Sequence, residues 1–308
     1  MTASPLRKHL LTGALLACLA IFAVGCGLSA KMSDWMDSQD TSLRKRVCLA
    51  NFTTGLKGLE PQTKAWHQAM QKLLAAQGNF VLVEFDKLSQ AMEKVPAKVR
   101  SQEERAILAG RAMGLTSVIM GQVTDLSVQR RLAGIYGFRD NDPFLGLEAE
   151  LRILDVANGT VAGQDSFRPE IKLNDVEAEA VRLGEKPKEK QVQEVLAKLI
   201  QETGEWTVGK INSQAWAAYI LEIKGDMAKI TVGRDTGLPV GSFITVYSRG
   251  EKLRTGAGTI LYVTGAPLAK LRITDLEPRV GWAKILPYGD EEKKEVPKLE
   301  PGLLVLAK

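Results

Sequence analysis

Apolar and polar positions follow two different periods in the first part of this chain. Short apolar runs predict three buried or half-buried strands, at residues 47–52, 80–85 and 116–128. Apolar residues at helical spacing predict the segments between these runs to be helices, at residues 61–77, 88–95 and 101–113. The resulting order of strand, helix, strand, helix and strand predicts an α/β domain in which helices pack on a sheet.

A hairpin and a helical segment complete the predicted first domain. Apolar and polar positions alternate over residues 147–153. Residues 147–156 and 160–167 are predicted strands separated by Ala157-Asn158-Gly159, and Asn-Gly is a strong hairpin signal. Residues 174–204 follow as a helical segment that is interrupted at residues 184–188. The predicted α/β domain therefore covers residues 45–205.

The pattern changes from Trp206 onward to short strands that are separated by turns, with no convincing helix. We predict seven strands here, at residues 219–223, 227–232, 243–247, 258–263, 269–274, 282–286 and 303–306. Turn-rich spacing of this kind is typical of a small all-β barrel, which we place at residues 206–308.

The start of the chain has the pattern of a bacterial lipoprotein leader. A basic segment is followed by an uncharged apolar run that is too short to span a bilayer. Cys26 then follows small residues, as in a lipobox, although Ala23 stands where leucine is usual. We expect residues 1–25 to be removed, Cys26 to be acylated and residues 26–44 to form a spacer. The alternative is a secreted protein that is cut nearby, with Cys26 unmodified.

The expected lipid anchor predicts where the protein resides. Three acyl chains on Cys26 would hold the mature chain firmly on a membrane. Gly27 follows the expected acylated cysteine. By resemblance to lipoprotein sorting patterns, a residue other than Asp at this position favours the outer membrane over the inner one. We therefore expect a lipid-anchored protein on the periplasmic side of the outer membrane in the cell envelope.

Composition argues against several kinds of function. The 41 basic and 36 acidic residues are interspersed, and without a basic stripe we expect no nucleic-acid partner. His67 and Cys48 are the only histidine and thiol of the expected mature chain, too few for a His/Cys metal site. The apolar run around Cys48 favours a buried thiol over a reactive nucleophile. We expect no catalytic residues, no metal and no cofactor.

Cations and aromatic residues are concentrated on a glycine-containing loop between two predicted strands, at residues 130–144. Exposed loops on a rigid sheet commonly carry binding, and Arg and aromatic side chains are usual interface anchors. Two interpretations remain open: a loop that binds a partner, or a local cap in which the aromatic residues fold back on the sheet edge. The candidate binding residues are Arg130, Arg131, Tyr136, Phe138, Arg139 and Phe144.

Several of these segments carry a resemblance to known families. The segments AGRAMGLTSVIMGQV (109–123) and LRILDVANGTV (151–161), with the strands at 47–52 and 79–84, resemble the CsgG-like family, named for the curli-secretion lipoprotein. The family's mixed sheet with packed helices also occurs in the N-terminal part of the TolB family. Residues 224–243 resemble the C-terminal SH3-like barrel of flagellar assembly protein T.

These resemblances imply a function without enzymatic activity. They imply an envelope lipoprotein that scaffolds the assembly or secretion of a surface structure, flagellar or curli-like. The implied partners are envelope proteins, including further copies of this chain in a homo-oligomer. The alternative is a lipoprotein that activates a cell-wall (peptidoglycan) synthase, because such activators share a related α/β fold.

Overall fold

The structure combines an α/β part with a closed β-barrel, as the sequence predicts. A computed structural model describes five ranges of the chain, residues 43–99, 101–135, 138–254, 260–289 and 298–307. Both parts belong to one unit, Arg44–Ala307.

The α/β part contains a mixed seven-stranded sheet. Its strands are β1 (Lys45–Leu49), β2 (Thr53–Thr54), β3 (Phe80–Val83), β4 (Ser117–Ile135), β5 (Phe138–Asp155), β6 (Thr160–Phe167) and β7 (Glu170–Lys172). The main order is β3-β1-β4-β5-β6, while β2 pairs with β4 and β7 pairs with β5. Strands β3, β1 and β4 are parallel, and β4, β5 and β6 are antiparallel.

Five helices pack around this sheet. They are α1 (Glu60–Ala76), α2 (Phe85–Glu93), α3 (Gln102–Met113), α4 (Asp175–Arg182) and α5 (Glu189–Asn212). Ser101 caps α3 by accepting a hydrogen bond from the Glu104 backbone N–H, and Gly114 ends it at φ +69°. Strand β3 ends at Val83, two residues earlier than predicted, because Glu84 is the N-cap of α2 and Phe85 is its first residue.

The sheet is covered on both faces, which explains the apolar runs along its strands. On β1, Val47 and Leu49 pack into one core with α1 and α5, whereas Cys48 packs into a second core with α2 and α3. Neighbouring residues of a strand point to opposite faces, so the part of β1 that is buried in apolar cores on both sides, Val47–Leu49, contains no polar residue.

The barrel has six strands in the order β10-β11-β12-β9-β8-β13, with β13 pairing back to β10. They are β8 (Ala217–Lys224), β9 (Met227–Ile230), β10 (Phe243–Arg254), β11 (Ile260–Leu276), β12 (Gly281–Pro287) and β13 (Leu304–Leu306). The prediction of two separate strands at 258–263 and 269–274 was wrong, because residues 260–263 and 269–274 lie in the single strand β11. Residues 258 and 259 lie outside the described residues. The Gly265-Ala266-Pro267 sequence resembles a turn, but shifts in the β10–β11 register accommodate it within the strand.

Helix α5 continues to Asn212, seven residues past the expected end of the first domain at residue 205. Trp206 still packs on the α/β part, where its ring meets Phe167 edge-on at a centroid distance of 5.6 Å. The Lys45 ammonium then donates to the carbonyls of Ile211, Asn212 and Gln214, at 3.1, 2.9 and 2.5 Å. A cation at this position complements the negative end of the helix dipole.

Arg46 joins the α/β part to the barrel, although it lies on a central strand and is only 5% exposed. Its guanidinium forms a two-pronged ion pair with Asp235, with bonds of 2.9 and 2.6 Å. It also donates to the carbonyls of Thr231 and Arg279, at 2.5 and 2.6 Å. Gly114 leaves space for this contact, because a Cβ there would lie 2.6 Å from the Thr231 Cβ.

Candidate interaction surface

The segment that carries the predicted binding residues belongs to a β-hairpin, and the expectation of a loop at 130–144 was wrong, because residues 130–135 lie in β4 and residues 138–144 lie in β5. Strands β4 and β5 pair continuously, from Ser117 opposite Asp155 to Ile135 opposite Phe138. The consecutive cations Arg130 and Arg131 point to opposite faces of β4. The segment therefore lacks the alternation of apolar and polar positions by which a strand is predicted.

The far part of this hairpin extends beyond the other strands. Strands β1 and β2 flank β4 only as far as Val123, and β7 and β6 flank β5 only from Phe144 onward. Residues 124–135 of β4 and 138–143 of β5, which we call the distal hairpin, pair with no further strand in the described parts of the chain. Unpaired strand edges are surfaces on which other chains form hydrogen bonds.

One face of the distal hairpin forms an ion pair with α4, and each of these two elements exposes an apolar side chain. Arg130 forms an ion pair of 2.8 Å with Asp175, the first residue of α4. Leu132 is two positions further along the same face of β4 and is 65% exposed. Val176 follows Asp175 on α4 and is 80% exposed. The ion pair thus links two elements that each expose a large apolar residue.

The opposite face of the hairpin is charged. The Arg131 guanidinium lies 4.4 Å from the Phe144 ring centroid and 2.5 Å from a Glu170 carboxylate oxygen. Nearby, Arg168 bridges Asp125 and Glu148, at 3.0 and 2.8 Å. These charges are paired within the chain, so this face is stabilised internally.

The structure separates the predicted binding residues. Arg131 and Phe144 contact each other on the charged face, while Arg130 lies on the face with the exposed apolar residues. Tyr136 and the side chains of Phe138 and Arg139 lie outside the described residues, although the backbone of the latter two belongs to β5.

Sequence reasoning missed the exposed apolar residues Leu132 and Val176. Their identities carry no signal of exposure, because an isolated apolar residue is buried or exposed according to what packs against it. Leu132 lies past the end of the supporting strands, and Val176 lies on a helix of eight residues of which only Ala178 is buried.

The thiol of Cys48 lies on β1 and the imidazole of His67 lies on α1, both in the α/β part and away from the distal hairpin. Cys48 is fully buried, as expected, and burial raises the pKa of its thiol to about 12. Burial also lowers the pKa of His67, against the opposing effect of hydrogen bonds with the carbonyls of Leu49 and Ala50. The described residues contain no cluster of three or more His, Cys, Asp or Glu that could hold a metal.

The lowered pKa of His67 predicts that the folded protein becomes less stable as the pH is lowered. The unfolded chain binds more protons than the folded one once the pH falls below 6.5, the ordinary pKa of histidine. The loss of stability that His67 causes is complete once the pH is below the lowered pKa of the folded state. We expect His67→Gln to lose less stability than the unsubstituted chain between about pH 8 and about pH 5, measured by urea unfolding. Parallel curves for the two proteins would contradict this prediction.

The fold and the surface together define a protein with an α/β part, an attached barrel and a protruding hairpin suited to protein contacts. None of the described helices is long and apolar enough to cross a membrane.

No protein-family model and no curated protein matches the chain. Similar solved structures include lipoprotein GNA1162 from Neisseria meningitidis, with a TM-score of 0.31, 10% identity and coverage of 52% of this chain and 99% of that one. A minor lipoprotein from Acinetobacter baumannii has a TM-score of 0.28, 12% identity and coverage of 54% and 93%. The PelC dodecamer from Paraburkholderia phytofirmans has a TM-score of 0.28, 13% identity and coverage of 56% and 89%.

These neighbours are bacterial proteins, and two of them are lipoproteins by name. The comparisons do not confirm the resemblance to the CsgG-like family or to the barrel of flagellar assembly protein T.

Proposed function

We propose that this protein is a non-enzymatic lipoprotein of the bacterial outer membrane, tethered through Cys26, that scaffolds the assembly or secretion of a surface structure. In this proposal the distal hairpin and the start of α4 dock an envelope protein partner. The observation that carries it is the Arg130–Asp175 ion pair with exposed Leu132 and Val176 beside it.

This arrangement has the composition of a protein interface. Interfaces place apolar anchors at their centre and polar groups at their rim, and a few anchors supply most of the binding energy. Leu132 and Val176 provide such anchors, and the exposed Arg130–Asp175 ion pair supplies charged groups of the kind found at an interface rim. The unpaired edges of the distal hairpin add backbone groups that a partner strand can bond.

The non-enzymatic part of the proposal is supported by the chemistry of the scarce titratable groups. A thiol with a pKa of about 12 is protonated at physiological pH and is a poor nucleophile. His67 contacts Phe52 edge-on at 5.2 Å and lies in the α/β part. Cys48 lies on β1 and His67 lies on α1, and neither residue belongs to the distal hairpin.

The test is to capture partners from intact cells with the full-length chain and a Leu132→Glu/Val176→Glu variant. We expect the variant to lose crosslinked partners and any self-association while its melting temperature stays unchanged, because both side chains are exposed. Val240→Glu is the matched control, since Val240 is 59% exposed on the barrel part, outside the distal hairpin. The proposed surface would be contradicted if the Leu132→Glu/Val176→Glu variant and the Val240→Glu control lost crosslinked partners equally. It would also be contradicted if the double variant still captured all partners.

The identity of the captured proteins tests the kind of assembly. Flagellar or fibre components support the scaffold, whereas a peptidoglycan synthase would replace it with the activator function. A Cys26→Ser chain tests the tether separately, and its continued fractionation with membranes would contradict acylation at Cys26.

A further inference from the structure

A concave site lies between the α/β part and the barrel. Here a cavity of about 410 Å³ separates helix α3 from strands β8, β10 and β11. We call it the α3–barrel cavity. Small-molecule sites commonly have volumes of roughly 300–1,000 Å³ and favour the boundaries between domains. None of the described residues that line it belongs to the distal hairpin, so its function is separate from the proposed docking surface.

Much of the cavity wall is apolar. The apolar side chains come from α3 and from the barrel, and include Leu108, Ala112, Leu221, Val263 and Leu304. An apolar wall of this kind favours the hydrocarbon part of a ligand over water.

Two glycines shape the barrel side of the cavity. A Cβ on Gly250 would lie 2.0 Å from the Val263 carbonyl oxygen, and a Cβ on Gly265 would lie 2.1 Å from the Ser248 hydroxyl. Strands β10 and β11 can approach this closely only with glycine at both positions. Their register shifts on either side of Arg249, which lines the cavity together with Ser248.

Both ionised groups of the described lining are cations. Arg111 donates to the carbonyls of Val156 and Ala157 at 2.9 and 2.8 Å, and Arg249 donates to the Pro301 carbonyl at 2.9 Å. The described lining residues include no aspartate or glutamate. The described lining residues therefore carry two positive charges, while the Asp155 carboxylate acts on Tyr219 from outside the lining. Both guanidinium groups are held in place by backbone oxygens.

The deepest polar group of the lining is neutral. Tyr219 is only 2% exposed, and burial raises the pKa of its hydroxyl above the ordinary value. Its side chain therefore adds no negative charge to oppose the two arginines. Arg249 is exposed, so the cavity reaches from the solvent to the buried Tyr219.

We propose that the α3–barrel cavity binds a small organic anion with an apolar body, of the class of medium-chain alkyl carboxylates. Arg249 pairs with the carboxylate, since its described hydrogen bonding uses one of its five N–H donors. The apolar side chains of α3 and the barrel enclose the hydrocarbon part.

The test is calorimetric titration of octanoate into the full-length chain held in amphipol, with amphipol alone as the blank. We expect saturable binding of octanoate and at least about tenfold weaker binding of octanol, which lacks the charge. Arg249→Gln should weaken octanoate binding at least about tenfold and leave octanol binding unchanged. Arg272→Gln is the matched control, because it removes the same charge from an exposed barrel position outside the cavity.

A second pair of variants tests the position of the apolar part. Ala112→Trp should fill the cavity and abolish octanoate binding, whereas Ala75→Trp, at an exposed position of α1, should not change it. Circular dichroism verifies that each variant is folded. Absence of octanoate binding by the folded unsubstituted chain, or binding that neither Arg249→Gln nor Ala112→Trp weakens, would overturn the proposal.

Discussion

Replacing Arg46 by alanine should lower the free energy of unfolding by about 3–5 kcal/mol, the usual cost of breaking a buried ion pair by removing one partner. Arg46 is 5% exposed, and its partner Asp235 is 22% exposed. The substitution leaves the Asp235 carboxylate, together with the carbonyls of Thr231 and Arg279, without this donor. Denaturant unfolding of the full-length chain measures the loss.

Arg182→Ala is the control for this experiment. Arg182 also forms a two-pronged pair, with Glu179, but the two side chains are 70% and 46% exposed. Exposed pairs contribute little, so we expect no measurable change. Arg46→Lys should restore only part of the stability, because an ammonium cannot reproduce the planar contact. If Arg46→Ala lowers the free energy of unfolding no more than Arg182→Ala does, the contacts of Arg46 between the α/β part and the barrel do not stabilise the protein.

Replacing Trp66 by alanine should also cost about 3–5 kcal/mol, because it leaves a large cavity in the core. Trp66 is fully buried on α1 and donates from its indole nitrogen to the Thr203 hydroxyl on α5, at 3.1 Å. Its ring lies 4.2 Å from that of Phe52. Besides denaturant unfolding, faster labelling of the buried Cys48 thiol under native conditions would report increased opening of the core.

Trp206→Ala provides the same change at a partly exposed site. Trp206 packs against Phe167 at the edge of the core, so its removal leaves less buried space and should cost less. If Trp206→Ala lowers the free energy of unfolding as much as Trp66→Ala does, the contact between α1 and α5 at Trp66 contributes no more to stability than a contact at the edge of the core.

The fold could be predicted where neighbouring residues determine the structure. Val47, Cys48 and Leu49 indicate a strand that is covered on both faces, because no polar side chain interrupts them. The Asn158-Gly159 pair indicates the hairpin between β5 and β6, where Gly159 has a φ of +68°. Both signals are local, and both predictions agree with the structure.

The surface could not be predicted to the same extent, because its features depend on distant residues. Arg46 precedes an apolar run and has no local sign of burial, since its partner Asp235 is 189 positions away. The distal hairpin lacks a period of two because Arg130 and Arg131 place charge on both faces. The cavity residues come from α3 and from barrel strands whose proximity only the assembled fold creates.

The position of β1 has a mechanical consequence. This strand lies between the parallel strands β3 and β4, and the chain enters it directly at Lys45. A pulling force on the preceding segment acts along the strand axis, so it shears the hydrogen bonds to both neighbours together instead of breaking them one at a time. The Arg46 and Lys45 contacts would share that load with the barrel and with the end of α5. A chain pulled from its N-terminal side should therefore resist extension at its first strand.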